Sequence, residues 1–353
     1  MRGAKLVLAV WLGVAAPAVA APNFSGLWSN NSLTQLERPD DFKTLVVTEA
    51  DALTYEKKHL GKPPEIPNDT IGGADSEWWD TDIGLMRIRG QIRSSELVSP
   101  ADGQLPFTAK ATASQKARSK RRKVDFDNPE SRDRSERCLA TDAAGPPMLN
   151  GGYNDNYQFV QTPGQLAMLA EHMAALRIVR LAPDARHPPP SLRFAMGDSI
   201  GRWDGDVLVI ETTNFIATDI GYEAGPADDM RVVERLSRTS PTELHYEFWV
   251  HAPAEFTQPW QGELTFHATK GPLYEFACHE GNYALPSTLS AGRQAEARAR
   301  AAFAKVSAGT SGLRGPLNPR PAVASPPPAP AWSPARRPEG AARTSPRTPR
   351  PAR

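Results

Sequence analysis

From Tyr157 onward, apolar and polar side chains alternate with a period of two, interrupted at short intervals by Gly, Pro, Asp and Ser. That period places successive side chains on opposite faces of an extended chain, so it predicts strand after strand. "NYQFVQTPGQLAMLAEH" and "ALRIVRLA" predict a meander of short strands. "SIGRWDGDVLVIETTNF" predicts a hairpin about the two-residue loop Asp204-Gly205, a pairing whose left-handed turn matches strand twist. That loop would set Trp203 opposite Asp206 and Gly201 opposite Leu208. On the outgoing strand Val207, Val209, Glu211, Thr213 and Phe215 share one face, while Leu208, Ile210, Thr212 and Asn214 share the other. Both faces start apolar, which predicts a central strand covered on both sides. "MRVVERLSR" and "ELHYEFWVHA" follow, joined by a turn at residues 239–242. Leu244, Tyr246, Phe248 and Val250 make the apolar face; His245, Glu247, Trp249 and His251 lie opposite. "WQGELTFHAT" and "LYEFACHE" predict a last hairpin about Lys270-Gly271-Pro272.

The first half reads differently. "NFSGLWSN" predicts a short strand and residues 47–60 a helix, with Thr48 as its cap and Glu49 close behind. After Trp78 and Trp79, "LMRIRGQIR" alternates again. Between 105 and 137 a helix starts behind Thr108 and runs into five basic residues within Arg118 to Lys123; Asn128-Pro129 marks its end. No glycine-rich phosphate loop opens a helix after a strand, which argues against a Rossmann or TIM arrangement. A run of antiparallel strands must hide its edges. The predicted fold is therefore mainly β: an antiparallel barrel or strongly curved half-barrel with peripheral N-terminal helices. A two-sheet sandwich is the alternative.

Charge changes the picture at the ends. The chain totals +1, but residues 309–353 hold eight arginines, one glutamate and twelve prolines. Removing that +7 tail and the +2 of the first twenty residues leaves about −8 on residues 21–308, so no nucleic-acid partner is expected. The basic run 118–123 lacks interleaved aromatic platforms and reads as a solvated helix. The Pro/Ala/Arg tail lacks the apolar residues for a core and is expected to be disordered; a basic linker and a frame-altered ending both fit it.

"MRGAKLVLAVWLGVAAPAVA" has the charge, apolar core and small-residue end of a signal peptide, too short for a comfortable transmembrane span. Export to the periplasm or beyond is expected, with no membrane span, and one β-rich domain over residues 21–308. In an oxidising compartment the two cysteines, Cys138 and Cys278, are expected to pair. The loop so closed, roughly 140 residues, has an entropic worth of about 4–5 kcal/mol.

"RCLATDAAGPPMLNGGYNDNYQFVQTP", "GDSIGRWDGDVLVIETTNF", "MRVVERLSR" and "YEFACHEGNYAL" resemble a large group of secreted, uncharacterised bacterial proteins. Those carry a leader, a "GRWEGDTLVVETTNF" hairpin and an "ACHEGNY" end. The likeness spans about residues 22 to 300 and implies export, but no reaction. Asp204 stands where the group has glutamate, and the Pro/Arg tail departs from its Ala/Glu-rich ending. The Trp-bearing first strand and long meander are also similar to lipocalin-type barrels, which bears on fold alone.

Candidate chemistry gathers around "ACHEGNY". If Cys278 is pinned beside the segment preceding "YNDNY", then Asp155, Asn156, His279, Glu280, Asn282 and Tyr283 form a polar rim. His279 with Asp155 or Glu280 would be an acid/base pair; Glu211 and Glu280 are carboxylates able to flank a glycosidic bond. The plain alternative is that Asn and Asp cap turns and the histidine closes a strand. Trp78 and Trp79 are candidates for stacking a sugar ring. His245 and His251 share strand parity but lie far apart, and nothing matches a zinc spacing, so neither metal nor cofactor is expected. The leading reading is a secreted domain binding a small molecule or glycan. A hydrolase or lyase using His279 with a nearby carboxylate comes second, and a structural envelope protein third.

Overall fold

The computed structural model describes residues 21–60, 83–122, 124–132, 136–139, 145–216 and 229–311. The expected leader, Trp78, Trp79 and the tail beyond 311 lie outside these residues. In chain order the described elements begin with β1 (Gly26–Ser29), β2 (Val46–Val47), α1 (Glu49–His59), β3 (Arg87–Ile88), β4 (Gln91–Arg93), β5 (Leu97–Ser99) and α2 (Ala109–Arg122). Then come β6 (Asn156–Thr162), β7 (Gln165–Ala170), β8 (Leu176–Arg180), β9 (Asp198–Asp204), β10 (Val207–Thr213), β11 (Arg231–Ser240), β12 (Glu243–His251) and β13 (Trp260–Ala268). The short α3 (Cys278–Gly281) and the long α4 (Ala284–Ser311) follow. The chain divides into two units, 1–298 and 299–353, and the described part of the second is helical.

β1 and β6–β13 close into a nine-strand barrel, sealed where β1 pairs with β13 at Trp28↔Ala268. That closure decides against the sandwich. The barrel is mixed rather than purely antiparallel, because β8 and β9 run parallel. A parallel neighbour needs a long crossover, and the proline-rich connection 181–197 supplies it. β5 adds to the β13 edge, and β2, β4 and β3 form a separate small sheet.

Local signals explain the elements. Thr48 caps α1, its hydroxyl accepting from the Asp51 N–H at 3.2 Å, and the Thr108 hydroxyl accepts from the Ala111 N–H at 3.1 Å to start α2. The alternating faces hold too: Leu208, Ile210 and Thr212 of β10, and Leu244, Tyr246, Phe248 and Val250 of β12, point into the barrel and are buried. All but Thr212 pack with Trp28, Tyr157, Phe159, Leu166, Leu264 and Phe266 into one core. Each such side chain contributes about 1.5–3 kcal/mol by leaving water. A second, smaller core joins α1 to the small sheet through Phe42, Ala52, Tyr55, Leu85 and Ile92.

Two local expectations are corrected. The β9–β10 turn is Gly205-Asp206, not Asp204-Gly205, so Asp204 pairs with Val207 and Trp203 with Leu208. The register slides by two residues, which leaves every face unchanged and sets Trp203 across from an apolar partner. Gly205, at φ +60°, supplies the left-handed position this turn demands. The segment "LYEFACHE" is not a strand: residues 269–277 are irregular and Cys278 opens α3. β13 has β12 along one edge and β1 and β5 along the other, so no ladder remains for another strand to join.

Candidate functional site

The disulfide forms as the sequence predicts, with the Cys138 and Cys278 sulfurs 2.06 Å apart. It holds the last segment against the start of β6: Phe276 packs edge-on to His172, and His172 edge-on to Tyr153. The polar rim expected there is split, however. Asp155 is fully buried, and its two carboxylate oxygens accept the Gly151 and Gly152 N–H groups, each at 2.8 Å. Asn156 and Asn154 donate to the two oxygens of Glu171 at 2.8 Å each. Asn282 donates to the Glu136 carbonyl at 2.9 Å and accepts from Leu285 N–H at 3.2 Å, fastening the disulfide loop and the start of α4.

His279, Glu280 and Tyr283 are exposed. The side chains of His279 and Glu280 make no hydrogen bond or ion pair with any of the described residues. Asp155 is already committed to two glycine amides, so the expected pairing with His279 does not occur.

An imidazole between two carboxylates appears elsewhere, on the outer wall of the barrel. His187 Nδ1 lies 2.7 Å from Asp198 Oδ2, and its Nε2 lies 3.8 Å from Glu211 Oε1. Arg180 donates to the same Asp198 oxygen at 2.6 Å, and Arg231 to Glu211 at 2.6 Å. That Arg231 hydrogen bond holds the Glu211 carboxyl below the usual carboxylate range despite some burial. Asn214, at φ +59°, donates to the carbonyls of Pro188, Pro189 and Leu192 and so fixes the loop that carries His187. Glu211 was a sequence candidate. His187 was not, and the only hint was its place before three prolines in "RHPPP".

Inside the barrel, Arg177, Glu234, Tyr246, Ser199 and Thr212 form a buried hydrogen-bonded network among the aromatic side chains. Its members satisfy one another.

A cleft of about 230 Å³ lies instead on the outside, between the β12–β13 wall and the segment 83–87 that leads into β3. Glu243, Thr265 and His267 form its barrel side; Asn31, Ser32 and Arg87 are the polar groups opposite. Leu85 and Met86 supply apolar lining. Thr265 Oγ1 and His267 Nε2 are 3.2 Å apart. Asn31 is 7% exposed, and among the described residues its carboxamide oxygen has no hydrogen-bond partner. A buried acceptor left without a donor costs about 1–3 kcal/mol.

Beside the cleft, on the same wall, His245 Nε2 meets Glu263 Oε2 at 3.1 Å, and His245 Nδ1 lies 3.9 Å from Glu247 Oε2. Arg93 of β4 donates to the other Glu263 oxygen at 2.7 Å. Burial raises the Glu263 carboxyl, but the hydrogen bonds from His245 and Arg93, with their charges, outweigh it and hold it below the ordinary range. The sequence comparison of His245 with His251 looked along one strand, whereas this group is assembled across two.

Compared with protein-family models, curated proteins and solved structures, the chain matches none.

Proposed function

We propose that this protein is an exported domain that binds a small polar molecule, a single sugar ring or a comparable polyhydroxylated compound, in the cleft on the β12–β13 wall. One observation carries the reading: the Asn31 carboxamide oxygen, buried and without a donor among the described residues, lines a cleft that also gathers Ser32, Arg87, Glu243, Thr265 and His267. Small-molecule sites combine apolar lining with a few convergent polar groups. Here Leu85 and Met86 provide the lining, and the volume of about 230 Å³ suits a ligand smaller than drug-sized. Export is supported by the leader-like first twenty residues and by the disulfide, which persists in oxidising compartments. Among the described residues no helix is long and apolar enough to cross a membrane.

The test is a thermal-shift screen of monosaccharides, disaccharides, polyols and amino acids against the wild type, Asn31→Leu and Thr265→Val. A sugar or polyol should raise the melting temperature of the wild type and of neither variant. Failure of every compound to shift the wild type, or an equal shift in both variants, would sink the reading.

A second reading, acid–base hydrolysis or elimination, rests on the 2.7 Å contact of Asp198 with His187 Nδ1. Asp198 fixes one tautomer and leaves Nε2 facing Glu211 as the base. Turnover of nitrophenyl esters or glycosides that disappears in His187→Gln would support it; turnover unchanged in that variant would end it.

A further inference from the structure

We infer that the outer wall of β12 and β13 binds a divalent transition-metal ion, held by His245, Glu247 and Glu263. Each of the three offers one ligand atom, and these atoms all lie within 4.8 Å of one another. Antiparallel register brings them together: Glu247 stands directly opposite Glu263, and His245 is two residues along from Glu247 on the same face. Two like charges directly opposed across a ladder are destabilising. A cation between them removes that cost.

The surroundings have the character of a prepared site. His245 is only 2% exposed, so its imidazole is held in place by packing. Glu263 is oriented by the Arg93 Nε hydrogen bond to Oε1, which leaves Oε2 directed at His245. Arg93 is itself held by Gln91 Oε1 at 2.7 Å. Ligating carboxylates are characteristically fixed in this way by outer partners. Glu247 is half-buried and gives the ion a route from solvent. Arg235, the register partner of Glu247, is engaged with Asp204 at 3.3 Å and leaves Glu247 available. One imidazole with two carboxylates suits Zn²⁺ or Co²⁺, with water completing a tetrahedral shell, better than the all-oxygen shell of Ca²⁺. This inference does not rest on the cleft reading, because none of its three ligands lines the cleft.

The test uses untagged, chelator-stripped protein titrated with Co²⁺ and followed by visible absorption, with Zn²⁺ competition and melting temperature as further readouts. One equivalent should bind, and Zn²⁺ should displace it and raise the melting temperature. His245→Gln and Glu263→Gln should weaken binding by at least about tenfold, while His187→Gln should leave it unchanged. Glu247→Gln, at a half-buried surface position, covers the case in which the buried substitutions fail to fold; it too should weaken binding. No Co²⁺ binding by the wild type, wild-type affinity in folded Glu247→Gln, or loss of binding in His187→Gln alone would overturn the inference.

Discussion

Arg177 on β8 and Glu234 on β11 meet inside the barrel, joined at two points with β9 and β10 between them in the sheet. Arg177 Nη1 donates to Glu234 Oε1 at 2.8 Å, and Nη2 reaches Oε2. Ser199 and Thr212 take further guanidinium N–H groups, and the Tyr246 hydroxyl donates to Glu234 at 2.7 Å. That hydroxyl in turn accepts the Met148 N–H at 3.0 Å, which ties the loop before β6 to the core. The pair therefore links five strands and a loop by contacts that no hairpin supplies.

Breaking such a pair leaves a buried charge without its partner. Arg177→Met alone should cost about 3–5 kcal/mol, and the double change Arg177→Met, Glu234→Leu should cost less than the two single changes added together. Urea denaturation of the four proteins measures this. A single-mutant loss under about 1 kcal/mol would mean that the pair is not desolvated in the folded protein.

Gly262 leaves room for an aromatic ring. It faces Phe248 across the β12–β13 ladder, and a Cβ added there would overlap that ring. Phe248 is held by Tyr246 and Trp260 and has nowhere to retreat. Gly262→Ala should destabilise by about 1–3 kcal/mol through overpacking, seen as a lower melting temperature. An unchanged melting temperature would show that the core yields more readily than its packing implies.

His172 should make stability depend on pH. Burial lowers its pKa from 6.5 to about 4. As pH falls below 6.5 the unfolded chain takes up a proton that the folded protein refuses until about 4. Stability from this group is thus complete above the upper value and drains away toward the lower one, by about 3 kcal/mol in total. Denaturation midpoints measured across that window should fall less steeply for His172→Leu than for the wild type. Parallel curves would refute the assignment.

The Cys138–Cys278 bridge spans a sequence separation of 140. Replacing both cysteines by serine should cost about 2–5 kcal/mol. It should also speed protease cleavage within residues 269–277, whose irregular chain relies on the bridge and on the Phe276–His172 contact. Equal cleavage rates with and without the bridge would contradict that role.

How much could be read without coordinates followed from range. Thr48, Thr108 and the alternation in "ELHYEFWVHA" act over a few residues, and the elements they predict are present. The register at Asp204 was missed because "DGD" admits two turns, and only the Trp203–Leu208 pairing chooses between them. The last strand was misread because its alternation is real, while the sheet edge it would need is occupied by β1 and β5.

The candidate sites divide in the same way. Sequence alone fixed the mainly β class, the inward faces of β10 and β12 and the identity of the disulfide pair, because periodicity, turn chemistry and two cysteines are local or exhaustive signals. Only the tertiary structure decided closure through Trp28 and Ala268, the parallel step from β8 to β9, and the meeting of His187 with Asp198 and Glu211 and of His245 with Glu263. Those contacts join residues far apart in the chain, and their partners are set by barrel register, which no short stretch of sequence encodes.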